Sequence, residues 1–310
     1  MVRLRIPAVR YLAGKDSFRV KINHGFANSE NMLALRIRPM IKERKCEKFK
    51  LRDNVAVVGR FTKIREKKGG FPFEIKTARI NSQIQRALQE HIANLFINSG
   101  EYGLVVEAKV HINALPSIKH VRHLFLVGPD LEGSDIVKYV ERYPDIISLN
   151  ITSSITGNVE SESRLFNVRS VGIQKTPGSI YLRRFTGKHL ILHKSLLTTD
   201  DIIQFLDKWV NGDAYENLET FCNTPSDPPN SLSLDAIRAK FDLESYNPNL
   251  PNQRPRVFHY RHGIKIFPEF ERNLDTFNWF ELKRNHDGKR AFLSCDQFKF
   301  CFFVHNEIDP

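Results

Sequence analysis

The fold is decided by residues Gly187 to Phe221, which read GKHLILHKSLLTTDDIIQFLDKWVNGDAYENLETF. The alternation of apolar and polar residues from His189 to His193 predicts a half-buried β-strand. Thr198 followed by Asp201 forms an imperfect capping box, with Asp in place of the preferred Glu or Gln, and predicts that a helix starts here.

The residues after this cap predict one amphipathic helix over 199–211. Gly212 lies where a left-handed residue is expected to stop the helix. Leu218 to Cys222 then predicts the next strand. One helix face is apolar and is formed by Ile202, Phe205, Leu206, Trp209 and Val210.

Strands recur at a regular interval over residues 100–222. Two of the intervals contain convincing helices, Ser134 to Tyr143 and Thr199 to Asn211. Strand–helix–strand connections of this kind favour a largely parallel sheet with right-handed crossovers. The interval, about 19 to 29 residues, is close to that of leucine-rich repeats. We therefore predict an α/β fold with a leucine-rich-repeat-like curved sheet, whose strands are centred near Val106, Phe125, Leu149, Val171, Ile191 and Thr220.

The remaining chain predicts a different organisation on each side of this repeat-like region. Residues 1–80 form a basic, β-rich region with exposed hairpins. Residues 223–256 are rich in Pro, Asn and Ser and predict a linker or packed excursion with a short helix near Leu234 to Phe241. Residues 257–305 predict antiparallel hairpins, one of which turns at Asp287 and Gly288, a favoured two-residue turn.

Four blocks of this sequence, in this order, resemble the F-box-associated type 2 domain of nematode F-box proteins. The first is a helix ending at Leu95 and Phe96. The others are an entry to a strand, the capped helix and a closing hairpin. Together they span residues 85–305, so that residues 81–310 form the predicted domain. The residues that carry the three later blocks are Phe166, Asn167, Val168, Leu197, Thr198, Asp201, Phe205, Leu206, Trp209, Gly212, Asp287 and Gly288.

The resemblance implies a noncatalytic module that recognises a protein target. Proteins of that family deliver the target to a Skp1-cullin ubiquitin ligase through an F-box that binds a Skp1-type adaptor. Here only Leu4 to Pro7 are similar to the opening of an F-box, and Gly14, Gly25 and Pro39 interrupt any helical pattern that follows. We expect the F-box to be missing or eroded.

Composition limits the class of protein. With 310 residues, 41% hydrophobic and 26% charged, the chain can bury one large or two small cores. No apolar run approaches the roughly 20 residues of a membrane span, so an intracellular protein, cytoplasmic or nuclear, is expected. The four cysteines lack a Cys-x-x-Cys pair, which favours reduced, mostly buried thiols over disulfides or a zinc site.

Charge is concentrated at the start of the chain. Residues 1–80 contain 21 Lys or Arg and 7 Asp or Glu, whereas residues 81–310 contain 26 and 28. This excess leaves an alternative open, in which the basic region binds nucleic acid or an acidic partner and loses affinity steeply as salt rises. An exposed hairpin surface explains the same pattern without a ligand.

No catalytic, cofactor-binding or metal motif is present in the sequence. Phosphate-binding loops, nucleophile elbows and His-Glu-x-x-His segments are all missing. His189 and His193 would share one strand face about 13 Å apart, which is too far to bind one metal. We expect no enzyme activity and no cofactor.

Overall fold

The structure is a computed structural model that divides into two compact units. Unit 1 comprises Met1–Pro129 and Lys138–Ile147, and unit 2 comprises Asp130–Val137 and Ser148–Pro310. The structure describes residues 8–14, 17–23, 31–39, 47–50, 56–63, 72–77, 83–84, 86–87, 89–90, 102–108, 110–160, 162–226, 232–247, 249, 256–259 and 273–305.

Unit 1 contains a mixed sheet in the order β8-β7-β1-β2-β3-β6-β5-β4. Strands β7 and β8 are parallel, as are β1 and β7 and β3 and β6, whereas the other neighbours are antiparallel hairpins. The strands are β1 Ala8–Gly14, β2 Ser17–Asn23, β3 Asn31–Pro39, β4 Glu47–Lys50, β5 Ala56–Lys63, β6 Pro72–Thr77, β7 Tyr102–Glu107 and β8 Val121–Val127.

Unit 2 contains a sheet in the order β10-β12-β13-β14-β20-β19-β18-β15, with two small separate pairs, β9 with β11 and β16 with β17. Its strands are β9 Asp130–Glu132, β10 Ser148–Ile151, β11 Ser154–Thr156, β12 Ser170–Gln174, β13 His189–Ser195, β14 Thr220–Pro225, β15 Glu244–Ser245, β16 Val257–His259, β17 Asn273–Asp275, β18 Phe280–Lys283, β19 Arg290–Cys295 and β20 Phe300–Val304.

The predicted α/β class is confirmed at this level. All six predicted strand centres lie in strands, and strands β10, β12, β13 and β14 pair in parallel. Strands β14, β20, β19, β18 and β15 then pair in antiparallel fashion. Parallel strands therefore occupy the middle of the chain, and antiparallel hairpins lie towards both of its ends.

The helices include α1 Gly133–Arg142, α2 Ser179–Arg184, α3 Thr199–Asn211 and α4 Leu234–Lys240. Helices α1, α3 and α4 form where the sequence predicts them, whereas the short helix α2 was not predicted. Helix α3 has the predicted boundaries. Its capping box is complete, because the Thr198 hydroxyl accepts a hydrogen bond from Asp201 N and the Asp201 carboxylate accepts one from Thr198 N. Gly212 ends the helix with a left-handed φ of 78°.

Helix α3 covers one face of the unit 2 sheet, which we call the helix face. The Phe205 ring packs edge-on against Phe221 of β14 at 5.0 Å and against Phe302 of β20 at 5.1 Å. The Trp209 ring packs edge-on against Phe302 at 5.0 Å. All four side chains are buried, and edge-to-face pairs contribute about 0.5–1.5 kcal/mol each beyond their burial.

The opposite face of the sheet, the polar face, carries mostly polar or small side chains on the parallel strands β10, β12, β13 and β14. Ser148, Ser170, His189 and Thr220 are cross-strand neighbours on it, and all are buried. The prediction of a half-buried strand over His189–His193 was therefore wrong in part, since residues 189–192 are buried on both faces. β13 lies between two parallel neighbours, where burial on both faces is usual.

The prediction of a two-residue turn at Asp287 and Gly288 was wrong, because the loop of the hairpin between β18 and β19 is longer. Arg284 N donates to Lys289 O at 2.9 Å, and Gly288 N donates to Arg284 O at 3.0 Å. The loop therefore contains four residues, 285–288. Gly288 supplies a positive φ of 69°, which a glycine adopts without steric cost.

Parts of the predicted N-terminal helix and of the predicted linker lie outside the described residues. The predicted helix end near His91 to Phe96 lies outside the described residues, as does Cys46. The predicted linker, 223–256, contains α4, whose Ile237 is fully buried.

None of the helices in the described part of the chain has the length and apolar character that a bilayer crossing requires.

The capping box of α3 can be tested by replacing Thr198 with Ala. The Thr198 side chain satisfies Asp201 N, one of the helix N–H groups that has no intrahelical acceptor. We expect Thr198→Ala to lower the free energy of unfolding by about 1 kcal/mol in urea denaturation. Gln204→Ala, on the exposed side of α3, is the matched control and should change it by less than about 0.5 kcal/mol. Equal effects of the two substitutions would contradict the assigned cap.

Candidate recognition surface at the carboxyl ends of the parallel strands

The residues of the sequence motif are placed in two groups. Phe166, Asn167 and Val168 lie at a short 3-10 turn before β12, where the Asn167 side chain accepts a hydrogen bond from Thr186 at 2.5 Å. Phe166 is buried and packs against Tyr181. The second group is gathered around α3. It contains Leu197, Thr198, Asp201, Phe205, Leu206, Trp209, Gly212, Asp287 and Gly288.

The end of α3 is joined to the β18–β19 loop by a buried contact. The Arg284 guanidinium lies 5.0 Å from the centre of the Trp209 ring, and Arg284 is only 2% exposed. Asn285 N donates to Val210 O at 2.8 Å. The loop therefore satisfies one of the carbonyls that the end of a helix leaves without an intrahelical donor.

Charge around Arg284 is balanced by Asp287. Arg284 Nε lies 3.3 Å from Asp287 Oδ1, an ion pair without hydrogen-bond alignment. The hydrogen bond from Lys289 N, aided by the positive charge of Arg284, lowers the pKa of Asp287. These contacts hold the end of the helix to the hairpin loop.

A surface that the sequence motif does not include lies at the carboxyl ends of β12, β13 and β14. The turn between β19 and β20 joins it, because β20 runs antiparallel to β14 and Phe300 is paired with Asn223. Loops at the carboxyl ends of parallel strands are the usual binding region of α/β sheets. The carboxyl-end surface, as we call it, consists of Lys175, Lys194, Leu196, Phe298 and Lys299, all of them exposed.

Leu196 is presented to solvent by a loop with fixed backbone. Its side chain is 65% exposed, although it follows a buried strand. Leu196 N donates to Thr176 O at 3.2 Å, and the next N–H, of Leu197, donates to Ser195 Oγ at 3.3 Å. Ser195 Oγ in turn donates to Asn223 Oδ1 at 2.5 Å. The exposed side chain is therefore held on a rigid support.

Phe298 is presented in a similar way by the β19–β20 turn. Its side chain is 58% exposed. The Asp296 carboxylate accepts hydrogen bonds from Phe298 N at 2.7 Å and from Lys299 N at 2.8 Å, and Asp296 N donates to Lys299 O. β14 lies between β13 and β20, so the backbones that present Leu196 and Phe298 are about 10 Å apart.

Two lysines of this surface adopt left-handed backbone conformations. Lys175 has φ 54° and Lys194 has φ 51°, and each costs about 1 kcal/mol relative to right-handed backbone. A register shift between His193 and Ser195 accompanies Lys194. Lys175 N donates to His193 O, which places the two lysines on neighbouring strand ends. Strained backbone of this kind is more frequent at functional sites than elsewhere.

Charge on the carboxyl-end surface is predominantly positive. Lys175, Lys194 and Lys299 lie there, and the Asp296 carboxylate already accepts two backbone N–H groups. Asp200 lies in the first turn of α3, where a carboxylate complements the positive end of the helix dipole. The surface therefore combines exposed lysines with exposed apolar side chains.

The two histidines of β13 lie beside threonines of β14. His189 and His193 share the polar face as predicted, where they contact Thr220 at 3.3 Å and Thr224 at 3.5 Å. In the part of the chain that the structure describes, no group of three or more His, Cys, Asp or Glu side chains is placed to hold a metal ion.

Comparisons with known proteins leave the family open. No family model matches this chain, and no curated protein or solved structure matches it either.

The contact between α3 and the hairpin loop can be tested at Gly212. A Cβ added there would lie 2.4 Å from His286 Nδ1, at a φ that side-chain-bearing residues rarely adopt. We expect Gly212→Ala to lower the free energy of unfolding by more than about 1 kcal/mol, the cost of left-handed backbone alone. When His286 is also replaced by Ala, Gly212→Ala should lower the free energy of unfolding by less, close to the cost of the left-handed backbone alone. An unchanged loss in the double variant would contradict the contact with His286.

Proposed function

We propose that this chain is a noncatalytic protein-recognition module that binds its target through the carboxyl-end surface. The observation that carries the proposal is the exposure of Leu196 and Phe298 on backbone that hydrogen bonds hold in place. Exposed apolar side chains on a rigid support lose little conformational entropy on binding, which makes them effective anchors.

Charge on this surface suggests the chemistry of the target. Lys175, Lys194 and Lys299 lie on the same strand ends and turn as the apolar anchors, so a target segment with one or two large apolar residues flanked by Asp or Glu would be complementary. Complementary charge of this kind speeds association and selects against basic segments.

The resemblance to F-box-associated type 2 domains supports a more specific role. We propose that the module is the substrate-binding part of a Skp1-cullin-type ubiquitin ligase, or a relic of one. The leucine-rich-repeat-like curvature expected for the sheet belongs to this proposal. It is supported by the sequential order of the parallel strands β10, β12, β13 and β14, which right-handed connections would cover on one face.

The basic region supports a second candidate function. The net charge of +14 on residues 1–80 favours binding to nucleic acid or to an acidic partner. On this alternative, unit 2 would be a scaffold, and substitutions on its carboxyl-end surface would leave binding unchanged.

Peptide selection tests the recognition surface. We would select from a random-peptide display library on the full chain and measure dissociation constants of the recovered peptides by fluorescence polarisation. We expect acidic peptides with a large apolar residue. Because interface anchors often contribute 2 kcal/mol or more, Leu196→Asp combined with Phe298→Ala should weaken binding at least about tenfold.

The control for this selection is Phe277→Ala, which removes an exposed aromatic ring (48% exposed) outside the carboxyl-end surface. This variant should bind the peptides as the unsubstituted chain does. Lys175→Glu with Lys194→Glu should weaken binding of acidic peptides and reduce its salt dependence. Recovery of peptides whose binding is insensitive to all of these substitutions would place recognition elsewhere.

Adaptor capture tests the ligase role separately. The full chain is compared with a variant carrying Leu4→Ala and Ile6→Ala, because residues 4–7 are the part that is similar to an F-box. Removing the residues before Ile80 would also delete β1, which pairs with β7. If the chain still works as part of a ligase, an immobilised Skp1-type adaptor should capture the full chain and not the variant, because residues 4–7 are all that is similar to an F-box. If the adaptor captures neither, the ligase role is wrong, while target recognition remains testable by the peptides.

A further inference from the structure

Two cysteines oppose each other where the parallel strands meet the C-terminal hairpins. Cys222 of β14 and Cys301 of β20 are register partners, and their sulfur atoms are 3.2 Å apart. They are 2% and 3% exposed. Directly opposed residues of antiparallel strands have Cα atoms about 4.5 or 5.5 Å apart, and both values lie in the range that disulfides span.

The surroundings of the pair favour ionisation of one thiol. Burial opposes a thiolate at Cys301, but a hydrogen bond from the Cys222 thiol and the positive charge of Lys299 outweigh burial and lower the pKa of Cys301. Burial raises the pKa of Cys222. Because the thiolate is the nucleophile of cysteine chemistry, Cys301 is the reactive member and Cys222 is placed to resolve the product.

We propose that Cys222 and Cys301 form a reversible disulfide when the protein meets a peroxide. The sequence predicts reduced, mostly buried thiols and no disulfide, and this pairing is independent of the proposed recognition function. The bond would join β14 to β20 and close a loop whose ends are 79 residues apart in the chain.

The chemistry consumes one peroxide for each disulfide. The Cys301 thiolate attacks one peroxide oxygen, an S–O bond forms, and the O–O bond breaks to release hydroxide, which takes up a proton to form water. The product is a sulfenic acid. The Cys222 sulfur then attacks the Cys301 sulfur, so that the S–S bond forms and the S–O bond breaks. The departing hydroxide takes the Cys222 proton and leaves as a second water. A thiol reductant reverses the product by exchange.

Cys295 provides an internal comparison. It lies on β19, where Cys301 is paired with Ser294, so that strand alternation directs the Cys295 side chain to the opposite face. Burial, together with the charge of Asp296, raises the pKa of Cys295 to about 11. Cys295 should therefore neither react quickly with peroxide nor link to Cys301.

The experiment treats the folded full chain with hydrogen peroxide and maps its cysteines. After blocking free thiols with N-ethylmaleimide, digestion without reductant should yield a peptide pair joined through Cys222 and Cys301, 2 Da lighter than the two thiol peptides together. Reduction should separate the pair. Cys295→Ser should give the same joined pair, whereas Cys222→Ser and Cys301→Ser should not.

Two outcomes would overturn the proposal. One is that Cys222 and Cys301 both remain alkylated after peroxide treatment of the folded, unsubstituted chain, a result that does not depend on how any variant folds. The other is that Cys301 links to Cys46 or Cys295 in place of Cys222. Lys299→Gln gives a further readout, because loss of its charge should raise the pKa of Cys301. Oxidation at pH 7 should then slow by about three- to tenfold and its pH profile should shift upwards.

Discussion

The packing of Phe205 against both Phe221 and Phe302 is the contact on which unit 2 depends. Phe221 lies on the last parallel strand and Phe302 on an antiparallel strand that follows about 80 residues later. One ring on α3 therefore packs against two parts of the sheet that are far apart in the sequence. The apolar spacing of α3 gives this helix its amphipathic face, and strand alternation supplies the matching rings.

The same alternation determines what the opposite face can carry. Along the parallel strands the helix face takes most of the large apolar side chains, and the polar face holds the row of Ser148, Ser170, His189 and Thr220. The polar face also carries the pair Cys222 and Cys301 and, on the antiparallel strands, the buried rings of Phe292 and Phe303. Apolar and polar residues therefore alternate along the sequence of these strands, although the side chains on both faces are buried.

The sequence predicts a feature accurately when the residues that determine it lie within one short segment. Helix α3 could be predicted to the residue because its cap, its apolar period and the Gly212 stop all lie within the segment. The length of the loop at Asp287 could not be predicted in this way. The loop contacts the end of α3, where Asn285 donates a hydrogen bond to Asn211, a residue 74 positions earlier in the chain. Register is equally nonlocal, so the pairing of Cys222 with Cys301 could not be predicted from the sequence.

The carboxyl-end surface was missed for a related reason. Leu196 and Leu197 are neighbours of the same type, yet Leu197 is buried and Leu196 is exposed. What separates them is the hydrogen bond from Leu196 N to Thr176 O, between loops that the sequence does not show to be adjacent. The left-handed backbone of Lys194 has the same origin in the register shift beside it.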